Sequence, residues 1–514
     1  MNGAGREAAA LDEEGGLAWG TPAAWGALLA TVLGSSLTFL AASSINVALP
    51  ALAADLDVGV STLQWVVNAY MLTLAALVLL GGSLGDRFGR RRIFLVGTVW
   101  LAVTSLMCGL APDAAWLIVA RALQGVGGAL LTPASLAILQ ASFGPSHRSK
   151  AVGAWSGMAG VASATGPLIG GWLVDVWSWR LIFLINLPLA VVVVVAAVRY
   201  LPETRNPSAP EQRLDFAGAA LAAVGLGAIT WALTGSGAGQ ATERWAAAGA
   251  GLLALVAFLV VERRSSHPMV PLGIFSSRQF SGANVVTFVV YGVLGGTFFL
   301  LLLQLQIVLG YSPVRAGAAE LPVTVLMLLL SASAGGLAER LGPRLPMTLG
   351  PLTIAGGLVL LAGVDAESTY FTGVLPGVVV LGLGLSATVA PLTATVLAAV
   401  DESLVGVASG VNNAVSRAAW LIAVAALPVL AGLTGGALED PVAFNQGYRT
   451  AMLISAGAAV LGGALAWLTI RNRLQDDRQA CPASGMDARV HCSVDVAPVA
   501  SDSDVRAARE AAAR

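Results

Sequence analysis

Gly82-Ser83-Leu84-Gly85-Asp86-Arg87-Phe88-Gly89-Arg90-Arg91 recurs 253 positions later as Gly335-Gly336-Leu337-Ala338-Glu339-Arg340-Leu341-Gly342-Pro343-Arg344. Gly, Leu, Arg, Gly and Arg return at the same places, and Glu339 stands opposite Asp86. Each copy lies between the second and third long apolar runs of its half, so the chain carries its own duplicate. Duplicated helix sets flanking a midplane cavity are a transporter architecture. A receptor or scaffold has no need of the duplication.

Outward from the two copies, apolar runs recur with short polar breaks. They fall at about 23–49, 65–84, 93–110, 116–140, 151–174, 179–199, 216–233, 245–261, 281–309, 316–338, 346–364, 373–400, 407–430 and 449–470. A run of about 20 apolar residues matches the hydrocarbon thickness of a bilayer, which predicts about fourteen spans. The spans must be helices, because an open sheet edge in lipid leaves backbone groups unsatisfied. The short alternating segments of a β-barrel are missing. The 514-residue chain is 56% hydrophobic and 11% charged, with a mean hydropathy of +0.79. Too little charge is present to cover a soluble protein of this length. An all-α polytopic membrane protein is therefore expected, in two six-helix bundles with an inserted helix pair. The segments are a tail at 1–22, an N-terminal bundle at 23–204, an inserted two-helix linker at 205–264, a C-terminal bundle at 265–474 and a tail at 475–514. The tails are polar or Ala-rich and read as disordered. The first apolar run is too long for a signal-peptide core.

Basic residues set the orientation. One set of loops holds Arg87, Arg90, Arg91, Arg92, Arg148, Lys150, Arg205, Arg213, Arg263, Arg264, Arg278, Arg340 and Arg344. The other holds little beyond Arg244 and Arg315, with acids such as Asp55, Asp57, Asp113, Asp365, Glu367, Glu439 and Asp440. The arginine-rich loops are read as cytoplasmic, which places both termini in the cytoplasm of a protein in the cell inner (plasma) membrane. A net charge of −1 gives no field for nucleic acid. Lys150 is the only lysine, and no phosphate-binding Gly-x-x-x-x-Gly-Lys-Ser/Thr loop is present, so nucleotide hydrolysis is not the energy source. His147, His267 and His491 are placed in loops or tails, where they build no catalytic constellation, and an enzyme is not expected. Cys108, Cys481 and Cys492 form neither a disulfide framework nor a zinc pattern. No cofactor or metal is expected. The expected partners are a small-molecule substrate, protons and the lipid bilayer, for a monomer.

Four motifs, in order along the chain, carry a resemblance. Gly82-x-Leu84-x-Asp86-Arg87-x-Gly89-Arg90-Arg91 lies between the second and third helices. Leu117-x-x-x-Arg121-x-x-Gln124-Gly125-x-Gly127-Gly128-Ala129 lies in the fourth helix. Gly166-Pro167-x-x-Gly170-Gly171 lies in the fifth. Trp179-Arg180-x-x-Phe183-x-x-Asn186-x-Pro188, then Leu201-Pro202-Glu203-Thr204 and Leu214-Asp215-Phe216, follow. Over residues 23–470 the chain resembles the major facilitator superfamily, and within it the fourteen-span drug:proton antiporter branch. That resemblance implies an exporter of small amphipathic compounds, a cytoplasmic latch at Gly82, Asp86, Arg87, Gly89, Arg90 and Arg91, and a part for Arg121 in proton coupling. Asn46, in Ile45-Asn46-Val47-Ala48-Leu49-Pro50, resembles the end of the branch's first-helix motif.

The residues have their own chemistry beside the resemblance. Glycines permit a tight turn, and Asp86 at a helix end suits either an arginine or a helix N-terminus. The arginines of that loop also set topology. Arg121 inside an apolar helix is costly unless paired or hydrated; it serves coupling or is a structural arginine on backbone carbonyls. Gly166, Pro167, Gly170 and Gly171 allow close helix approach. One feature departs from the branch. Five positions before Asn46, where the family usually has an acid, stands Ala41. Glu320, early in the tenth span, is the substitute proton carrier or a wetted interfacial residue; for Asp175 the interfacial reading is preferred. Arg417, with Asn412, Asn413 and Ser416, forms a second polar patch that suits an anionic substrate group or Glu320. Gln124, Asn68, Tyr70, Asn284, Tyr291, Gln304 and Gln306 either line a cavity or bond helix to helix. The alternative to proton-coupled export is an uncoupled facilitator or lipid mover, and Ala41 is its support.

Overall fold

The structure, a computed structural model, describes residues 17, 19–205, 215–234, 241–265, 268–401, 404–433, 438 and 440–472. The spans are α1 (Pro22–Leu56), α2 (Val60–Phe88), α3 (Arg90–Gly109), α4 (Ala114–Ser142), α5 (Pro145–Val176), α6 (Asn186–Tyr200), α7 (Phe216–Thr234), α8 (Ala241–Arg264), α9 (Arg278–Ile307), α10 (Leu321–Leu341), α11 (Arg344–Leu361), α12 (Leu375–Ala398), α13 (Val405–Leu430) and α14 (Pro441–Thr469). Among the described residues, thirteen helical stretches are long and apolar enough to cross a membrane. The 32-residue α5 runs between the fourth and the sixth.

Helix starts follow from capping chemistry. Thr21 Oγ1 accepts from Ala24 N, Asp113 Oδ1 from Trp116 N, and Ser277 Oγ from Phe280 N. Each satisfies an orphan N–H of a first turn. In the N-terminal half, α4 packs against both α2 and α3, and α1 against α5 and α6. In the C-terminal half, α12 packs against α10 and α11, and α14 against α9 and α11. The inserted pair pack on each other, and α7 also lies against α2 and α13, one helix from each half. The outer face is apolar: Val191 and Val195 of α6 and Leu252 and Leu253 of α8 are exposed, as hydrocarbon contact permits.

Four expectations are corrected. The tenth span is not one helix. A short helix, Pro313–Ala319, ends at Glu320, and α10 begins at Leu321 with Pro322 in its first turn. Pro322 has no N–H to donate, so the ladder breaks there. The sixth span is likewise preceded by a separate turn, Leu181–Leu184. His147 is in the first turn of α5 rather than a loop. The end of the N-terminal tail is ordered: Leu17 N donates to Ser142 O, and Trp19 packs on Trp25 and Phe143, with Lys150 over its ring. The stretches 1–16 and 473–514, with Cys481, His491 and Cys492, lie outside the described residues, as do 206–214 and His267.

Candidate functional site

At the arginine-rich end, Gly89 ends α2 with φ +110°, a conformation that side-chain-bearing residues rarely adopt. Arg90 turns back onto Asp86, its Nε and Nη2 at 2.9 and 2.8 Å from Oδ1, and its Nη1 donates to Ala137 O of α4 at 3.3 Å. Asp86 thus pairs inside its own loop. The first N–H groups of α3 are taken up by the Leu201-Pro202-Glu203-Thr204 stretch. Arg90 N donates to Thr204 O and Arg91 N to Glu203 Oε1, while Arg92 lies 3.6 Å from Glu203 Oε2. The two motifs are one contact, a carboxylate at a helix N-terminus. Arg91 Nη2 reaches Val198 O, and the Arg87 guanidinium lies over the Phe88 ring. Gly82 faces Pro133.

The second copy repeats the geometry with other chemistry. Gly342 has φ +82°, and Arg344 N donates to Asn472 Oδ1 at 3.2 Å. Arg344 also donates to Trp467 O and covers the Trp467 ring. Glu339 is exposed and, among the described residues, makes no ion pair.

Arg121 in α4 is fully buried. Its Nε donates to Val66 O at 3.0 Å, and Nη1 donates to Ala41 O at 2.9 Å and Gln124 Oε1 at 2.6 Å. Gln124 passes the chain on to Ser105 Oγ at 2.7 Å, which also accepts from Asn186 Nδ2. The guanidinium sits 4.4 Å from the Tyr70 ring centre and 5.9 Å from that of Phe183. Nη2 has no partner. Ala41, in the place of an acid, offers Arg121 its backbone carbonyl. Tyr70 Oη donates to Thr38 O of α1.

The glycines of α5 are contact points. A Cβ on Gly170 would lie 2.9 Å from the Ser44 Cβ, and one on Gly171 would lie 2.6 Å from Val314 Cα. Gly166 faces Ser43, and Pro167 faces Gly317 of the short helix. α5 therefore joins α1 to the other half. Asp175 is exposed and accepts from Val314 N at 3.0 Å, at the start of that short helix. Gln306 donates to Val47 O, and Gln64 to Val424 O and Ala425 O. These links between halves all lie towards the arginine-poor end.

Glu320 is 9% exposed and its Oε1 has no partner. Tyr448 of α14 is in electrostatic reach and its Oη is also buried without a partner. One turn before Tyr448, Asn445 Oδ1 accepts from Gln304 Nε2 at 2.5 Å, and Gln304 Oε1 is a third unpartnered atom. Glu320 and Arg417 form no ion pair. Arg417 instead has Tyr70 and Tyr291 as electrostatic neighbours, and its Nε is buried without a partner. Asn412 donates to Asn284 Oδ1 and Thr287 Oγ1, an α13–α9 bond. Asn413 is exposed and bonds Ser409 O. Asn46 and Asn68 are buried, with Asn46 Oδ1 and both side-chain polar atoms of Asn68 unpartnered.

The model of the Major Facilitator Superfamily matches residues 31–424. The chain belongs to that superfamily. It is 35% identical over 490 residues to the puromycin resistance protein pur8 of Streptomyces alboniger, covering 91% of this chain and 95% of that one. It is 34% identical to the tetracenomycin C resistance and export protein of Streptomyces glaucescens, over 82% of this chain and 79% of the relative. Among solved structures, a bacterial homolog to the human lysosomal transporter Spinster, inward-facing and unoccupied, aligns with a TM-score of 0.64 at 18% identity, covering 87% and 97% of the two chains. A POT family transporter in complex with 5-aminolevulinic acid gives 0.67 at 13% identity, over 90% and 98%. The protein is a multi-pass membrane transporter of the facilitator fold, not an enzyme.

Two contacts escape a reading of the sequence. Asp55 accepts from Arg180 Nη1 at 2.7 Å and Trp179 Nε1 at 2.9 Å, which ties the Trp179-Arg180 motif to the end of α1. Tyr448, Asn445 and Gln304 gather near Glu320 from helices far apart in sequence.

Proposed function

We propose that this protein exports small amphipathic compounds by proton antiport, moving between states open to opposite sides of the membrane. Export rests on relatives named for resistance and export that align over most of both chains. Alternating access is supported by links between halves at the arginine-poor end, at Gly171, Asp175, Gln64 and Gln306. Such links must open for cargo to leave. Coupling rests on one observation: Glu320 is a buried carboxylate with a free oxygen and no ion pair. A carboxylate there exchanges a proton with little reorganisation, and it takes the place of the acid missing at Ala41. Arg121, bonded to the Ala41 carbonyl, then holds α1, α2 and α4 together along the path. The Asp86–Arg90 loop serves as the latch of the arginine-rich end, which is the cytoplasmic one with both termini, and the working unit is a monomer. Each proton entering down 100 mV supplies about 2.3 kcal/mol.

The test uses purified protein in proteoliposomes with a panel of fluorescent amphiphiles of either charge. An imposed pH gradient should accelerate movement of at least one of them in wild type, and Glu320→Gln should move it at a rate the gradient does not change. Movement indifferent to the gradient in wild type sinks antiport and leaves an uncoupled facilitator.

A further inference from the structure

Two cations, Arg121 of α4 and Arg417 of α13, both neighbour Tyr70 of α2, and among the described residues no anion pairs with either. Arg121 is fully buried behind Tyr70, with Nη2 unpartnered. Arg417 has the same tyrosine and Tyr291 as its electrostatic neighbours, and its Nε is unpartnered. Neither makes an ion pair among the described residues. The electrostatic neighbours of Arg121 are Cys108 and Tyr70, and those of Arg417 are the two tyrosines. Uncompensated charge inside an apolar bundle is expensive, so such a site is built for something that arrives. Arg121 spends its donors on backbone and Gln124. Arg417 is half-buried and makes no hydrogen bond, which leaves its planar fork for a visiting oxyanion.

The surroundings give the rest of the ligand. Trp420 is one turn along α13 from Arg417, on the same face. It stacks with Phe298 of α9, ring centres 6.3 Å apart and planes at 21°. Tyr291 and Phe298 are seven residues apart and share a face of α9. One wall of the seam between the halves thus carries a guanidinium beside an aromatic shelf. From this geometry we infer that the cargo is an aromatic organic anion, its carboxylate or sulfonate on Arg417 and its ring system against Trp420 and Phe298. The inference rests on the transport reading of the site and adds the cargo's charge. The Arg121 field behind Tyr70 reinforces the same preference and disfavours a cation.

Three ligands of one skeleton test it: 1-naphthoic acid, 1-naphthamide and 1-naphthylmethylamine, of charge −1, 0 and +1 at neutral pH. Binding of each to the full chain in lipid nanodiscs is measured by scintillation proximity. The acid should bind about ten-fold tighter than the amide, and the amine more weakly than either. Arg417→Met should bring the acid down to the level of the amide without changing the amide, which doubles as the check on folding; Arg417→Lys should keep part of the preference. An amine that binds wild type as tightly as the acid overturns the inference, and so does an acid-to-amide ratio unchanged by Arg417→Met. If the acid binds in this pattern and proteoliposomes move none of the three, the export reading fails and the anion site stands. If the amine alone is bound and moved, the export reading stands and the anion site fails.

Discussion

Arg121 and Glu320 are each a lone charge in an apolar stretch, one per half, and the two halves treat them in opposite ways. The N-terminal half meets Arg121 with two backbone carbonyls, Gln124 and the Tyr70 ring. The C-terminal half leaves Glu320 Oε1 without a donor, beside the equally unpartnered Tyr448 hydroxyl. The duplicated loops at the arginine-rich end repeat the contrast. In the first copy Asp86 is paired with Arg90 and Glu203 caps α3; in the second, Glu339 is exposed and a neutral Asn472 does the capping. Arg121, Asp86 and Glu203 are bound into structure. Glu320 and Glu339 are left available. Of two like frames, one holds the anchored guanidinium and the other the unpartnered carboxyl that the proposed coupling would use for exchange.

The largest effect that would break this contrast belongs to Arg121. Arg121→Ala removes three hydrogen bonds in a dry interior and opens a cavity, at a cost of about 3–5 kcal/mol. A melting temperature of the detergent-purified variant close to wild type would show that Arg121 does not anchor. Arg121→Lys keeps the charge without the fork and should fall between.

The loops come next. Gly89→Ala puts a Cβ 2.8 Å from the Glu203 carboxyl carbon at φ +110°, and should cost about 1–3 kcal/mol. Gly342→Ala incurs the same kind of backbone strain and presses at least as closely on Asn472, so its melting temperature should fall by a comparable amount. Combining Gly89→Ala with Glu203→Ala should cost less than the sum of the two, since the clashing group is gone. Additive losses would mean that Gly89 and Glu203 are not one contact. Alone, Glu203→Ala should cost about 1 kcal/mol, the scale of a helix cap with an exposed ion pair.

The frame was legible because its signals are local. Apolar length, arginine bias and the repeat at Gly82 and Gly335 are each read over a few tens of residues, and they place the fourteen spans to within several positions. Span ends were longer than the apolar runs, as with Pro441–Thr469 against 449–470, because capped polar turns extend helices beyond the hydrocarbon. The break at Glu320 was visible as Pro322 but not its consequence. The state of each charge was not legible, because it depends on neighbours brought from afar. Asn445 and Gln304 are 141 residues apart, and Glu203 reaches Arg91 across 112. Arg121 and Glu320 look alike as sequence, each an isolated charge in an apolar run. Only packing tells a guanidinium held by backbone carbonyls from an orphaned carboxylate.

The smallest expected change in stability is the most informative. Glu320→Gln replaces a buried carboxyl whose Oε1 bonds nothing with an amide of nearly the same shape. A carboxyl that ionises there unpaired is penalised by desolvation, so removing its ability to ionise should leave the fold unchanged or steadier, within about 1 kcal/mol. The same variant should lose its response to a pH gradient. Arg121→Ala should lose both stability and transport. The pairing of outcomes is what separates anchoring from exchange: a residue that anchors cannot be removed quietly, whereas one that exchanges protons is kept for its chemistry at no benefit to the fold. Should Glu320→Gln melt several degrees below wild type, Glu320 is held by contacts that matter to the fold, and the division between the halves fails at its C-terminal side.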